Sequence, residues 1–153
     1  MTTKLRGVYA IMKDFKIDDS LGFILNKVNG KLKNEFLQKL KEDDITPEEW
    51  AVLYFLWEED GVTPKELADL TFKDKPNTNR ILENLQKKGF ITRSPHPTDR
   101  RAYQIFLTDA GRDLRVRLVP KAISLLEKAT RTIDEDKIKE MKILLNKIYN
   151  NLL

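Results

Sequence analysis

Arg100 and Arg101 stand side by side in SPHPTDRRAYQIFLTDAGR, residues 94–112, behind Asp99 and two prolines. Adjacent guanidinium groups on a tight turn repel each other, and folding does not require them there. A partner with negative charge explains them. Guanidinium suits phosphate and the narrow minor groove of DNA, where negative potential is enhanced. The Asp99 carboxylate can brace one guanidinium so that it arrives preorganised. The competing reading is a turn held by a surface ion pair of little worth. Two prolines stiffening a basic tip favour the first.

A second set of candidates precedes this turn. From Lys73 to Arg101 there are eight cations and three anions, a net of +5 where the whole chain carries +4. Positive charge concentrated in one segment is the footprint of a polyanion site, although most charge runs are simply solvated. On a helical wheel for residues 76–88, Thr78, Ile81, Leu82 and Leu85 share one face, which predicts the core side. Pro76, Asn79, Arg80, Glu83 and Lys87 lie opposite, with Asn77 and Asn84 at the flanks. Asn can pair with adenine through two hydrogen bonds and Arg with guanine. A helix N-terminus adds free amide donors and a positive dipole end for phosphate. Asn77 serves equally well as a helix-start residue. The candidate DNA-contact set is therefore Lys75, Pro76, Asn77, Thr78, Asn79, Arg80, Asn84 and Lys87 on the helix. Arg93, His96, Asp99, Arg100 and Arg101 join them from the segment that follows.

Composition narrows the alternatives. The chain has 153 residues, 41% hydrophobic and 34% charged, which suits one globular, helix-rich domain. It has no cysteine, so disulfides, thiolate metal sites and thiol redox sensing are excluded, and a reducing cytoplasm is the natural setting. With His96 as its one histidine, a zinc site is not expected, and no cofactor is indicated. The N-terminal stretch has no apolar core or cleavage site of a signal peptide, and nothing approaches a bilayer span.

The elements that position these residues are readable from periodicity. Leu21, Ile24, Leu25, Val28, Leu32, Phe36 and Leu40 step as one helix face over residues 20–42. Thr46, Pro47 and Glu49 make a capping-box start for the apolar helix AVLYFLW. Thr63 and Pro64 start a short helix with Leu67 and Leu70 inward, and residues 72–75 break it. Pro76 opens the next, and Gly89 stops it. Two short helices joined by about four residues form a helix-turn-helix candidate. The period then changes from 3.6 to 2: FITRS, a turn, and RAYQIFL with Tyr103, Ile105 and Leu107 on one face. A β-hairpin directly after the second helix is the winged-helix order. Thr108 caps a helix to about Thr132, with Leu114, Leu118, Ala122, Leu125 and Ala129 as its stripe and Pro120 predicting a kink or break. Asp134 starts the last helix, where Ile138, Met141, Leu145, Ile148 and Leu152 have the spacing of a short coiled-coil seam. The fold expected is mainly α with a small β-hairpin wing.

The stretch TPEEWAVL…TPKELADL…PNTNRILENLQKKGFITRSPHPTDRRAYQIFLTDAG resembles the MarR family of winged-helix transcriptional regulators. The likeness covers residues 20–112 well, and the Asp-Arg-Arg wing followed by a strand and LTDAG is its specific part. The resemblance implies a winged helix-turn-helix over residues 46–108, flanked by N- and C-terminal dimerisation helices in residues 1–45 and 109–153. It implies a homodimer on double-stranded DNA with an inverted-repeat operator, repressing nearby genes. It also implies release by a small, often aromatic or anionic effector, bound near Trp50 and Tyr54. Asp99 and Arg101 map to the family's bracing pair, with Arg101 in the minor groove and Arg100 on phosphate. For Trp57, core packing is the preferred reading. Asp44-Ile45, Pro76 and Pro120 depart from the family pattern.

An enzyme has little support: one histidine on a proline-flanked turn, no nucleophile motif, no glycine-rich phosphate loop and no metal set. A third reading is a winged helix that binds protein through its hairpin.

Overall fold

Two Thr-Pro steps organise the middle of the chain, and both form reciprocal caps. The Thr46 hydroxyl accepts the Glu49 N–H at 3.1 Å, and the Glu49 carboxylate accepts the Thr46 N–H at 3.3 Å. Thr63 and Glu66 repeat the arrangement at 3.2 and 2.9 Å. Each cap satisfies two amide donors that a helix start leaves without a partner. They open α3 (Pro47–Glu58) and α4 (Pro64–Thr71) in this computed structural model. The model describes residues 3–153, with side chains at Arg6 and from residue 10 onward.

Residues 1–35 form one compact unit and residues 36–153 a second. The first carries α1 (Thr3–Asp14), where no helix was expected, and most of α2 (Leu21–Leu40). A single 3-10 turn, Lys41–Asp43, follows α2, and Asp44 ends it in the left-handed region at φ 56°. Asp is one of the few side chains that tolerates that conformation.

In the second unit, α4 ends at Phe72, also left-handed at φ 54°, and only residues 72–74 separate it from α5 (Lys75–Lys87). The expected start of α5 at Pro76 shifts by one residue. Asp74 is the cap, its carboxylate accepting the Asn77 N–H at 2.8 Å, and Pro76 sits just inside the first turn. Leu67 is buried as expected, but Leu70 is 43% exposed, and Ala68 takes the inward place beside Leu67. Eight residues make barely two turns, so a shift of the buried arc by one position exchanges which side chain it covers.

Past Gly89, at φ 81°, the chain forms β1 (Ile91–Pro95) and β2 (Tyr103–Leu107). They pair antiparallel from Ile91 opposite Leu107 to Pro95 opposite Tyr103. The expected one-sided face is buried at Ile105 and Leu107, while Tyr103 near the tip is exposed. Ile105 is stitched on its other edge as well: its N–H donates to Val62 O at 2.8 Å and its carbonyl accepts the Gly61 N–H at 2.9 Å. The loop between α3 and α4 thus supplies a third, one-residue rung.

Thr108 caps α6 (Asp109–Thr130), which runs through Pro120 without a break. Leu114 and Leu118 before the proline, and Leu125 after it, are buried on one face. Ala122 is half-buried and Ala129 exposed. α7 (Glu135–Asn151) starts at Asp134 as expected. Ile138, Leu145 and Ile148 of its seam are half-buried, whereas Met141 and Leu152 are exposed.

The core of this unit joins α3, α4, α5, the hairpin and α6 through Leu53, Leu56, Leu67, Ile81, Leu82, Leu85, Ile91, Ile105, Leu114 and Leu118. Gly111 lets α6 approach the hairpin, since a Cβ there would collide with the Phe90 carbonyl. The Trp57 indole N–H donates to Gly111 O at 2.9 Å, so Trp57 is a packing residue, as preferred from sequence.

Candidate nucleic-acid interface

α5 presents two different faces. Thr78, Ile81, Leu82 and Leu85 are buried, while Lys75, Pro76, Asn77, Arg80 and Lys87 are exposed and Asn79 and Asn84 lie at the margin. The wheel therefore describes the helix correctly, with one correction to the contact set. Thr78 is 1% exposed, and its hydroxyl donates to Asp74 O at 2.9 Å. It belongs to the core face and is not available to a partner. Asn77 is exposed but committed in part: its side-chain amide donates to the Asp74 carboxylate at 3.0 Å.

Arg80 also has a partner that no local pattern announced. Its guanidinium donates to Glu48 on the first turn of α3 at 3.1 Å. The pair is largely solvent-facing, so the arginine is held in place without being withdrawn from the surface. Lys88, the residue after α5, is different. Its ammonium lies 2.9–3.0 Å from both oxygens of Glu49, which is 3% exposed, and 2.6 Å from Asp44 O. Sequence reading took Glu49 only as a capping residue and Lys88 only as a cation. The signal was there in part, because an acidic third residue in a helix buried by apolar neighbours needs a counter-charge.

The hairpin places Arg100 and Arg101 exposed at its tip. The Asp99 carboxylate accepts the backbone N–H of Arg101 at 3.0 Å. The bracing of the wing thus runs through main chain in this structure, rather than through the guanidinium that sequence reasoning expected. A carboxylate two residues before its donor is well placed for such a turn, and this contact orders the backbone first. His96 is half-buried in the same turn, and its Nδ1 accepts backbone N–H groups from Thr98 at 3.2 Å and Asp99 at 3.1 Å. Arg93 departs from its expected place. It faces inward on β1, with Nε and one terminal nitrogen shielded from solvent and without hydrogen-bond partners.

Trp50 and Tyr54 sit together on α3. The Trp50 ring lies 5.3 Å from Phe36, 5.8 Å from Tyr54 and 5.6 Å from Trp57, mostly edge to face. Trp50 is half-buried and Tyr54 exposed.

Away from α5, Asp43 receives Arg117 Nε at 2.9 Å and Lys121 Nζ at 2.9 Å, tying the turn after α2 to α6. The Lys121 hydrogen bond, aided by Arg117 and opposed by burial, holds the Asp43 carboxyl below the usual carboxylate range. Asp43 in turn raises Lys121 above an ordinary lysine. Among the described residues no group of three or more His, Cys, Asp or Glu side chains is placed to hold a metal ion. No described helix is long and apolar enough to cross a membrane.

A recognition-type helix with a polar outer face beside a hairpin with a basic tip defines the winged-helix class. The sequence model of the MarR family matches residues 43–102. The multiple antibiotic resistance protein MarR of Escherichia coli is 31% identical over 134 residues, covering 84% of this chain and 90% of that protein. The chain belongs to the MarR family of transcriptional regulators. The regulator TtmR of Methylorubrum extorquens is 29% identical over 102 residues, and the chain spans about half of its length, 52%. Among solved structures, the S. aureus MepR–DNA complex superimposes with a TM-score of 0.81 at 25% identity, over 86% of this chain and 98% of that one.

Proposed function

We propose that this chain is a homodimeric, sequence-specific DNA-binding regulator that represses nearby genes from an inverted-repeat operator in the cytoplasm. The observation that carries the reading is the two-sidedness of α5 beside the wing. Thr78, Ile81, Leu82 and Leu85 anchor one face, leaving Lys75, Pro76, Asn77, Asn79, Arg80, Asn84 and Lys87 along the other. Arg100 and Arg101 then stand exposed at the tip of the hairpin that follows it. In this reading α5 enters the major groove and the wing the adjacent minor groove. MepR, whose complex with DNA has the same fold, supports it.

Residues 46–108 form the reading head, and residues 1–45 and 109–153 supply the dimer interface. Val116, Ile123 and Leu126 on α6 and Met141, Ile143 and Leu144 on α7 are exposed apolar side chains of the kind a second copy covers. A small aromatic or anionic effector bound at Trp50 and Tyr54 relieves repression. The protein works by binding rather than by catalysis, for which its family speaks.

The test is selection of bound duplexes from a random pool by the purified protein at near-physiological salt. Enrichment of an inverted repeat with half-site centres about one helical turn apart is expected. Weak, strongly salt-dependent binding without enrichment would overturn the reading.

A further inference from the structure

The turn between β1 and β2 is built around the one histidine of the chain. His96 Nδ1 accepts two backbone N–H groups, from Thr98 at 3.2 Å and Asp99 at 3.1 Å, and the Thr98 hydroxyl lies 3.3 Å away. The His96 backbone N–H donates to Ala102 O at 3.1 Å, and the Ala102 N–H donates to Asp99 O at 3.2 Å. Asp99 then accepts the Arg101 N–H through its carboxylate. These contacts form one chain: His96 holds residues 98 and 99, and Asp99 holds the backbone of Arg101. Pro95 and Pro97 flank the histidine and limit the backbone on either side.

This geometry has a protonation requirement. A ring nitrogen that accepts from backbone amides cannot itself carry a proton. The neutral ring must therefore bear its proton on Nε2. A second proton on Nδ1 would set an N–H against two others and remove the acceptor on which the turn closes. Histidine is the side chain whose charge changes between pH 5 and 8.

We propose that His96 is a positioning residue for the wing and makes operator recognition pH-sensitive, the wing tip being ordered when Nδ1 is bare and released when it is protonated. The inference rests on the wing being a DNA contact. Asp99, Arg100 and Arg101 share the turn of His96, and the Asp99 carboxylate is engaged by the Arg101 amide. Arg93 on β1 faces inward; on α5, which packs on β1, Lys87 is exposed, and Lys88 just after it is held by Glu49. Among the described residues no ion pair involves His96, so the loss of acceptor decides the effect. Protonation also adds positive charge, which strengthens attachment to any DNA alike. The sensitive quantity is thus the ratio of operator to non-specific affinity.

Two measurements on the full chain test this. With one histidine, the long-range 15N–1H spectrum of the imidazole needs no assignment. A bare Nδ1 and a protonated Nε2 at pH 7.5 are expected, and the opposite tautomer would overturn the proposal without reference to DNA. The second is the specificity ratio at pH 7.5 and 5.5 for the wild type, His96→Asn and His96→Ala. Asn keeps a side-chain acceptor at the same turn position but does not titrate. The wild-type ratio should fall about three- to tenfold on acidification, the equivalent of one lost hydrogen bond. The Asn variant should stay level, and the Ala variant should be low at both values. Equal pH profiles for wild type and Asn, or an Ala variant equal to wild type at pH 7.5, would overturn it. Failure to bind any operator at either pH would count against the regulator reading instead, with the tautomer still deciding this one.

Discussion

Lys88 and Glu49 form an ion pair at 2.9 Å that joins the end of α5 to the start of α3. The carboxylate is almost fully buried and the ammonium about one-quarter exposed. The same carboxylate closes the α3 capping box, so one side chain serves both the start of α3 and the end of α5. Replacing one partner strands the other. Lys88→Met should cost about 3 kcal/mol in denaturant unfolding. The double variant Lys88→Met with Glu49→Gln, which keeps the cap, should recover more than half of it. Equal losses in the single and double variants would mean that the charge pair is not what holds the two helices.

Arg80 should behave oppositely. Its bond to Glu48 is exposed, so Arg80→Ala should change stability by less than about 0.5 kcal/mol. Operator affinity should drop by about 1–3 kcal/mol, with preference relaxed at one base step. Affinity measured across single-base operator variants separates this from a uniform loss, which would make Arg80 a phosphate contact.

Asp43 gives a stability prediction with a defined pH window. Its carboxyl is lowered in the folded state, so its contribution is complete above the ordinary carboxylate value of 3.8 and is lost as pH falls through the lower, folded value. Lys121 is raised, so its contribution is complete below 10.5 and is lost as pH rises beyond that. Asp43→Asn should therefore cost about 1–3 kcal/mol at pH 7, as for hydrogen bonds to charged groups. The cost should be level from about pH 4 to 10 and shrink on either side. A difference between wild type and variant that changes near pH 6 would point to another group.

Gly111→Ala introduces a methyl group against the Phe90 carbonyl, which is main chain and cannot swing aside. An alanine that normally favours a helix should here destabilise by about 1–3 kcal/mol, as overpacking does. Thermal unfolding checks it. An unchanged or raised midpoint would show that α6 can slide away from the hairpin at no cost.

The helix-turn-helix and wing were legible because their signals are local. Thr-Pro starts with Glu three residues on, Gly89 at a helix end, and a change of period are all contained in a few residues. The polar face of α5 followed from the same arithmetic. What escaped depends on distance along the chain. The Glu48–Arg80 and Asp43–Lys121 bonds link residues 32 and 78 positions apart, and the Val62 rung on Ile105 pairs a loop with a strand. Thr78 shows a different limit: its wheel position gave the core, yet its residue type also suggested a DNA contact, and only the bond to Asp74 O decides between them. α1 was missed although Leu5, Val8, Tyr9 and Met12 recur at helical steps, because that stretch was weighed only as a signal peptide.

The Val62 rung carries a consequence for how such a head could search a duplex. Because β2 pairs with β1 along one edge and Ile105 bonds Val62 and Gly61 of the α3–α4 loop along the other, the base of the hairpin is tied in from both sides. In the proposed reading, the spacing between α5 and the base of the wing is then a built-in ruler. A site with its two features one step too far apart would not be met by moving the base of the hairpin. Tolerance for spacing would then come from the wing tip, from the joint between two heads or from the DNA itself.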